Sequence, residues 1–316
     1  METVVNVALP VFAIILAGWG AGKAGLLGQS ASQALNAFVY WAALPPLLFR
    51  AMATTPVEDI LHGSFIGAFL GGLMATWALA AVVGRIVHRD EAPILIMQGM
   101  SASFANTGYM GIPLFVAAFG QAGLPPASLA TVIMSAIAVG IAVVALELTG
   151  SKDRGLGGAL ADVAGALIRN PLVMAPAAGV AWSAGGLSLA VPVDRLFELM
   201  GAAASPCALF AIGLFMASQQ LRSDMAEVSW ITVLKLFWQP LFTWALAVTL
   251  FPMDPFWTAS AILLAALPTG ALTFVVAGRY EVYVQRSSAV ILVSTVVSVV
   301  TLSVLLAIYA PRFAPA

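Results

Sequence analysis

The sequence predicts an all-α polytopic membrane protein, with ten transmembrane helices arranged as two inverted five-helix repeats. Three observations predict it. The chain of 316 residues is 61% hydrophobic and only 9% charged, with a mean hydropathy of +1.01; a soluble chain carries about 25% charged residues. Its apolar runs are long enough to cross a bilayer, which takes about 20 residues each. Short motifs also recur at a nearly constant offset across the two halves of the chain.

The spans fall near residues 4–26, 33–54, 63–86, 93–119, 126–149, 163–184, 193–218, 228–251, 256–279 and 285–309. The alternating short segments of a transmembrane β-barrel are not seen. The N-terminal METVVNVALP has no Lys or Arg before its apolar run, so it reads as the first span rather than a signal peptide. No basic tract suggests nucleic acid. The one cysteine, Cys207, leaves no intrachain disulfide and no cysteine-cluster metal site, and it reads as an inert thiol in an apolar run. No metal and no cofactor are expected.

The polar connection at 150–162 divides the chain, giving a first repeat at 1–149, a linker at 150–162 and a second repeat at 163–316. Pro10 and Gly18 map onto Pro171 and Gly179, and Leu48-Phe49 onto Leu209-Phe210, all 161 positions on. Thr107-Gly108 maps onto Thr269-Gly270, 162 positions on. Five spans per half is an odd number, so the halves run in opposite orientation, with a site expected at the bilayer midplane. Loops after odd-numbered spans hold eight Lys or Arg (Lys23, Arg85, Arg89, Lys152, Arg154, Arg222, Arg279, Arg286), against Arg50, Arg195 and Arg312 on the other side. The excess marks the odd loops as cytoplasmic and puts both termini outside an inner (cell) membrane.

Two spans are interrupted. In the fourth, Asn106, Thr107, Gly108, Gly111 and Pro113 lie within eight positions. Gly and Pro cost about 1 and about 3 kcal/mol relative to Ala inside a helix, and Pro113 crowds the carbonyl of Tyr109. The ninth carries Pro268-Thr269-Gly270 at its middle. Such breaks survive in a membrane only inside protein or along a watery cavity. Each exposes the free N–H groups and positive end of its second half-helix, which favours an anion, with a carboxylate as the natural ligand. Asn106 offers amide donors and an acceptor, Thr107 and Thr269 hydroxyls, and Gly108 and Gly270 close backbone approach.

No Asp, Glu, Lys, Arg or His lies within 93–119 or 256–278. A proton antiporter would be expected to carry acids there, so uniport of an anion, or coupling through groups elsewhere, is the reading. Sodium- or proton-coupled symport is the alternative, with sodium held by backbone carbonyls. Glu147 is a candidate coupling group, although a glutamate at a helix end is usually solvated. Arg169 and Lys235 could draw anions to a cytoplasmic mouth, although snorkelling to the interface is the commoner role; Arg50 and Arg195 stand likewise on the outer side. Pro45-Pro46 and Pro206 would bend spans 2 and 7, with Leu47 and Leu48 lining a substrate path. His62 and His88, both at span ends, build no catalytic constellation, so no enzyme is expected.

NTGYMGIPLF at 106–115 and ALPTGALTFVVAGRY at 266–280 resemble the fourth and ninth spans of the auxin efflux carrier family, and IRNP at 168–171 and LFAIGLFMA at 209–217 its sixth and seventh. The resemblance covers nearly the whole chain, and bacterial members include transporters assigned to malonate and other organic acids. It implies the bile acid symporter/antiporter-like fold, with broken helices 4 and 9 crossing. Spans 1, 2, 6 and 7 would be a scaffold, and spans 3–5 and 8–10 a transport domain in an elevator-like motion. By motif, Asn106 and Pro268 match the family's crossover asparagine and proline, which puts the break at Ala105-Asn106 rather than at Pro113. Plant carriers have a proline where this chain has Ala105, and their long central loop is reduced here to 150–162, which sets auxin itself and phospho-regulation in question. The implied partners are a small organic carboxylate, membrane lipid and a second copy joined through the scaffold spans. A cysteine introduced within 150–162 should be labelled by an impermeant maleimide only from the cytoplasmic side; labelling from outside would overturn the topology.

Overall fold

In the computed structural model, residues 2–57, 62–150, 161, 164, 165, 167–218 and 225–313 are described. Apart from Gly150 and Ala161, the expected linker's residues at 151–160 and 162 lie outside them. The described residues are helical with no named strand, and one isolated antiparallel bridge joins Ala105 to Thr269.

The first half runs as α1 (Glu2–Lys23), α2 (Gln29–Phe38), α3 (Leu44–Ala53), α4 (Gly63–Val83), α5 (Ala92–Ser103), α6 (Ile112–Phe119), α7 (Leu124–Val132) and α8 (Val139–Gly150). The second runs as α9 (Pro171–Ala184), α10 (Val191–Ala202), α11 (Ala204–Ser218), α12 (Met225–Val233), α13 (Gln239–Thr249), α14 (Pro255–Ala265), α15 (Leu272–Tyr280) and α16 (Val284–Tyr309). Five helical stretches are long and apolar enough to cross a membrane: Gly63–His88, Thr107–Thr149, Val191–Ser218, Met225–Thr249 and Val284–Arg312. The second of these is two arms, because the chain turns at Gly120 (φ 59°) between α6 and α7. The fourth and ninth apolar runs cannot be single long helices, since each is split into two half-helices.

Local chemistry accounts for the irregular turns. Pro45 and Pro46 cannot donate to Trp41 and Ala42, and a wide π-type turn at Val39–Ala43 leads α2 into α3. Similar turns join α7 to α8 and α12 to α13. Asn170 caps α9, its Oδ1 accepting from Leu172 N at 2.9 Å and from the Tyr40 hydroxyl at 3.0 Å. Asp254 caps α14 in the same way.

Without a hydrophobic drive between helices in lipid, small residues that let backbones approach set the packing. A Cβ on Gly18 would lie 2.2 Å from the Phe210 carbonyl oxygen, which locks α1 to α11. A Cβ on Gly179 would lie 2.5 Å from the Phe49 carbonyl oxygen, which locks α9 to α3. These are the same contact made by residues 161 positions apart. Gly18→Ala and Gly179→Ala should each cost about 1–3 kcal/mol by overpacking. Gly20→Ala, where a Cβ meets nothing within 4 Å, should be neutral or slightly stabilising. Thermal unfolding in detergent measures all three, and equal melting of the Gly18 and Gly20 variants would refute the packing role.

Candidate functional site

The site is assembled where the two broken runs meet. α5 ends at Ser103, Phe104 is extended, Ala105 forms the bridge, and a wide turn at Thr107–Gly111 leads into α6. The break therefore falls at Phe104–Asn106; Pro113 cannot donate to Tyr109, and the wide turn at Thr107–Gly111 precedes it as the one at Val39–Ala43 precedes Pro45 and Pro46. α14 ends at Ala265, and Pro268–Gly270 pass antiparallel to the first break. Asn106 N donates to Pro268 O, and Gly270 N to Phe104 O, both at 2.9 Å. At Gly270 a Cβ would come within 2.7 Å of the Phe104 ring, so glycine is required by the crossing. At Gly108 the nearest contact would be an ordinary 3.5 Å to Thr131, so protein packing does not require glycine there. Gly111 instead makes room for Leu267.

Three of the carbonyls left over at the half-helix ends find side-chain donors, while those of Ala102 and Leu263 have none among the described residues. On the carbonyl side, Ser101 O accepts from Thr269 Oγ1 at 2.7 Å, Ser103 O from Gln239 Nε2 at 2.7 Å and Ala265 O from Lys235 Nζ at 2.7 Å. Thr269 N is taken by Ser294 Oγ at 3.1 Å. On the amide side, the N–H groups of Gly108, Tyr109, Ala271 and Leu272 have no acceptor among the described residues. All four line one small cavity of about 20 Å³, with Asn106, Thr131, Ser135 and Leu172. The Asn106 side chain, 5% exposed, makes no hydrogen bond to a described residue.

A second cavity of about 370 Å³ reaches Asn106 and Tyr109 from the other side. Gln29, Ser32, Gln33 and Asn36 line it from one face of α2, and Ala211, Ile212 and Phe215 from α11. That polar stripe, spaced i, i+3, i+4 and i+7, was not anticipated, because it straddles the expected start of span 2 at 33, with Gln29 and Ser32 in the loop before it and Gln33 and Asn36 within it. The residues expected to line the path lie elsewhere. Leu48 is fully buried in the core, Leu47 packs on Gly201, Pro45 is half-buried beside the α2–α3 turn, and Pro206 is exposed on α11.

The charged groups are also placed differently from expectation. Lys235 does not snorkel; it is 0% exposed and points into the crossing. Glu147 accepts from the Tyr280 hydroxyl at 2.9 Å. Arg50 pairs with Asp194 through two contacts of 2.6 and 3.1 Å, and Arg195 with Glu198 at 2.9 Å. Glu227, unnoticed in the sequence, is 3% exposed and binds Gln98, Tyr283 and Arg286 at 2.6, 2.7 and 2.8 Å, tying α5, α12 and α16 together. Burial and the neighbouring Glu227 carboxylate push the Tyr283 phenol up, so it remains a donor. Among the described residues no group of three His, Cys, Asp or Glu could hold a metal ion.

A family model described as "Membrane transport protein" matches residues 3–154 and 160–306. A protein of Rhizobium meliloti (strain 1021) named "Putative malonate transporter" is 31% identical over 307 residues, covering 97% of this chain and 96% of the relative. The "Uncharacterized transporter YfdV" of Escherichia coli (strain K12) is 25% identical, covering 93% of each. Among solved structures, the sodium proton antiporter MjNhaP1 of Methanocaldococcus jannaschii superposes with a TM-score of 0.54 at 12% identity, covering 96% of this chain and 92% of that one; the likeness is one of fold.

Thr269→Val should leave the Ser101 carbonyl unpaired and cost about 1–3 kcal/mol. Thr107→Val, whose hydroxyl makes no hydrogen bond to a described residue, should cost less than half as much by the same measure. Comparative thermal unfolding of the two variants tests the assignment.

Proposed function

The chain belongs to the membrane transport protein family, and from that premise we propose that it carries a small organic carboxylate across the cell membrane through a site at the crossing of its two broken helices. One observation carries the anion reading. Three carbonyls at the crossing are taken up by Thr269, Gln239 and Lys235, whereas the amides of Gly108, Tyr109, Ala271 and Leu272, all residues that line one cavity, have no acceptor among the described residues. Free donors gathered at the starts of two half-helices suit an anion. Sodium held by backbone carbonyls needs the opposite arrangement, so coupled symport is the less supported reading. The relative named for malonate makes a dicarboxylate the first candidate.

On this reading Asn106 is the central ligand, with Thr107, Gly108, Pro268, Thr269 and Gly270 shaping the backbone around it. Of the two threonines only Thr107 has a hydroxyl to spare, since Thr269 spends its own on Ser101. The larger cavity is the route in. It lies between the start of α2 and the end of α11, which the Lys/Arg distribution assigns to the cytoplasmic side, so the structure corresponds to an inward-facing state.

Two inverted repeats of five spans are part of the proposal. Helices begin at 29, 92 and 124 in the first half and at 191, 255 and 284 in the second, at offsets of 162, 163 and 160. The matched Gly18–Phe210 and Gly179–Phe49 contacts add side-chain support. Both contacts lie within spans 1, 2, 6 and 7, the proposed scaffold, while the crossing lies within spans 3–5 and 8–10, the proposed moving domain. An elevator motion would slide one past the other along the α2 and α11 wall.

Asn106→Ala should reduce malonate uptake into proteoliposomes at least tenfold while leaving expression and melting temperature unchanged. Uptake equal to the parent's would remove Asn106 from the site. Exchange of sodium for potassium should leave the parent's uptake unaltered; dependence on sodium would favour symport.

A further inference from the structure

Lys235 is the only Lys or Arg among the described residues that is wholly buried. It stands near the middle of the 25-residue stretch Met225–Thr249, far from either interface, on a wide turn at Leu234–Trp238 that joins α12 to α13. An ammonium at that depth is costly and is ordinarily paired with a carboxylate. The ion pairs among the described residues are Arg50–Asp194, Arg195–Glu198 and Arg286–Glu227, and none involves Lys235. Its one hydrogen bond runs to the carbonyl of Ala265, the last residue of α14. One turn on, Gln239 makes the equivalent bond to Ser103, the last residue of α5. A neutral amide therefore suffices to cap one half-helix, whereas the other is capped by a lysine amine, a group able to hold a proton.

We propose that Lys235 supplies the formal positive charge of the crossing, and that the transported carboxylate is its counter-ion. This rests on the carboxylate reading above and deepens it. The helix N-termini at Gly108 and Ala271 orient the anion by hydrogen bonds, and Lys235, reaching the crossing from the α14 side, balances it through the protein. Lys235 acts without touching the ligand: it is absent from the lining of both cavities that contain Asn106. It is a positioning and charge-selecting residue rather than a ligand.

The test compares a charged probe with an uncharged isostere. Purified parent, Lys235→Met and Gln239→Leu proteins are titrated with malonate and with malonamide, binding being read by thermal shift and by isothermal calorimetry. The parent should prefer malonate. Lys235→Met should lose that preference by about tenfold, the size expected of one charge some 10 Å away in a medium of effective permittivity near 20. Gln239→Leu, which removes a cap and no charge, should melt lower yet keep the preference. An unchanged preference in Lys235→Met overturns the proposal, as does an equal loss in Gln239→Leu. A parent that binds no carboxylate overturns the carboxylate reading instead. Should Lys235→Met not fold, the parent decides. Proteoliposomes without anion should give a transient current on a voltage jump, because the empty carrier is charged. Its absence in protein that transports malonate overturns the assignment.

Discussion

Everything at the centre of this molecule depends on two hydrogen bonds, Asn106 N to Pro268 O and Gly270 N to Phe104 O. A transmembrane helix satisfies its own backbone; a broken one strands polar groups where no lipid can pair them, at several kcal/mol each. The chain solves this by breaking two helices and letting each break serve the other. The solution demands particular residues. Gly270 must lack a side chain to pass the Phe104 ring, and Thr269 must carry a hydroxyl to reach Ser101. The remaining ends are capped from outside the pair, by Lys235 and Gln239 on a single neighbouring helical run. With three of the end carbonyls so capped, the amides of Gly108, Tyr109, Ala271 and Leu272 are left without acceptors among the described residues.

Much of this was legible in the sequence, for identifiable reasons. Gly, Pro and Asn crowded into an apolar run can only be a break, and the repeat of Thr-Gly at Thr269-Gly270 marked its partner. Pro113 misled at first sight, since a proline advertises a kink wherever it stands; in the structure it opens α6 instead. Lys235 was read from its position in the chain as lying near an interface. Whether a lysine snorkels or turns inward depends on which face of the helix it occupies, and the wide turn at Leu234–Trp238 resets that face. The stripe of Gln29, Ser32, Gln33 and Asn36 was missed because hydropathy separates lipid from water and has no category for a helix facing a wet cavity inside the protein. The burial of Glu227 was equally hidden, because it depends on partners at Gln98, Tyr283 and Arg286 brought together only by folding.

The placement of the polar residues separates two tasks. Residues that hold the crossing together each engage a backbone group: Thr269, Gln239 and Ser294. Asn106 is held by its backbone alone, and its side chain stays free between the two cavities. A group that must bind and release a ligand repeatedly cannot also be a structural cap, because each release would then leave a buried carbonyl unpaired. On the proposed reading Thr107, whose hydroxyl is uncommitted, belongs with Asn106, and Thr269 with the framework.

The symmetry of the halves makes their one large difference informative. At the offset of 162 that relates Thr107-Gly108 to Thr269-Gly270, Lys235 corresponds to Leu73 and Gln239 to Trp77, both buried and apolar. The first half thus offers no equivalent caps, and the second half supplies them for both half-helices, α5 as well as α14. A crossing built only from matched halves would present the same field to either face of the membrane. Concentrating the charge on one helical run breaks that equivalence while leaving the backbone crossing intact. The backbone crossing can therefore stay nearly symmetric while its side-chain caps come from one half alone.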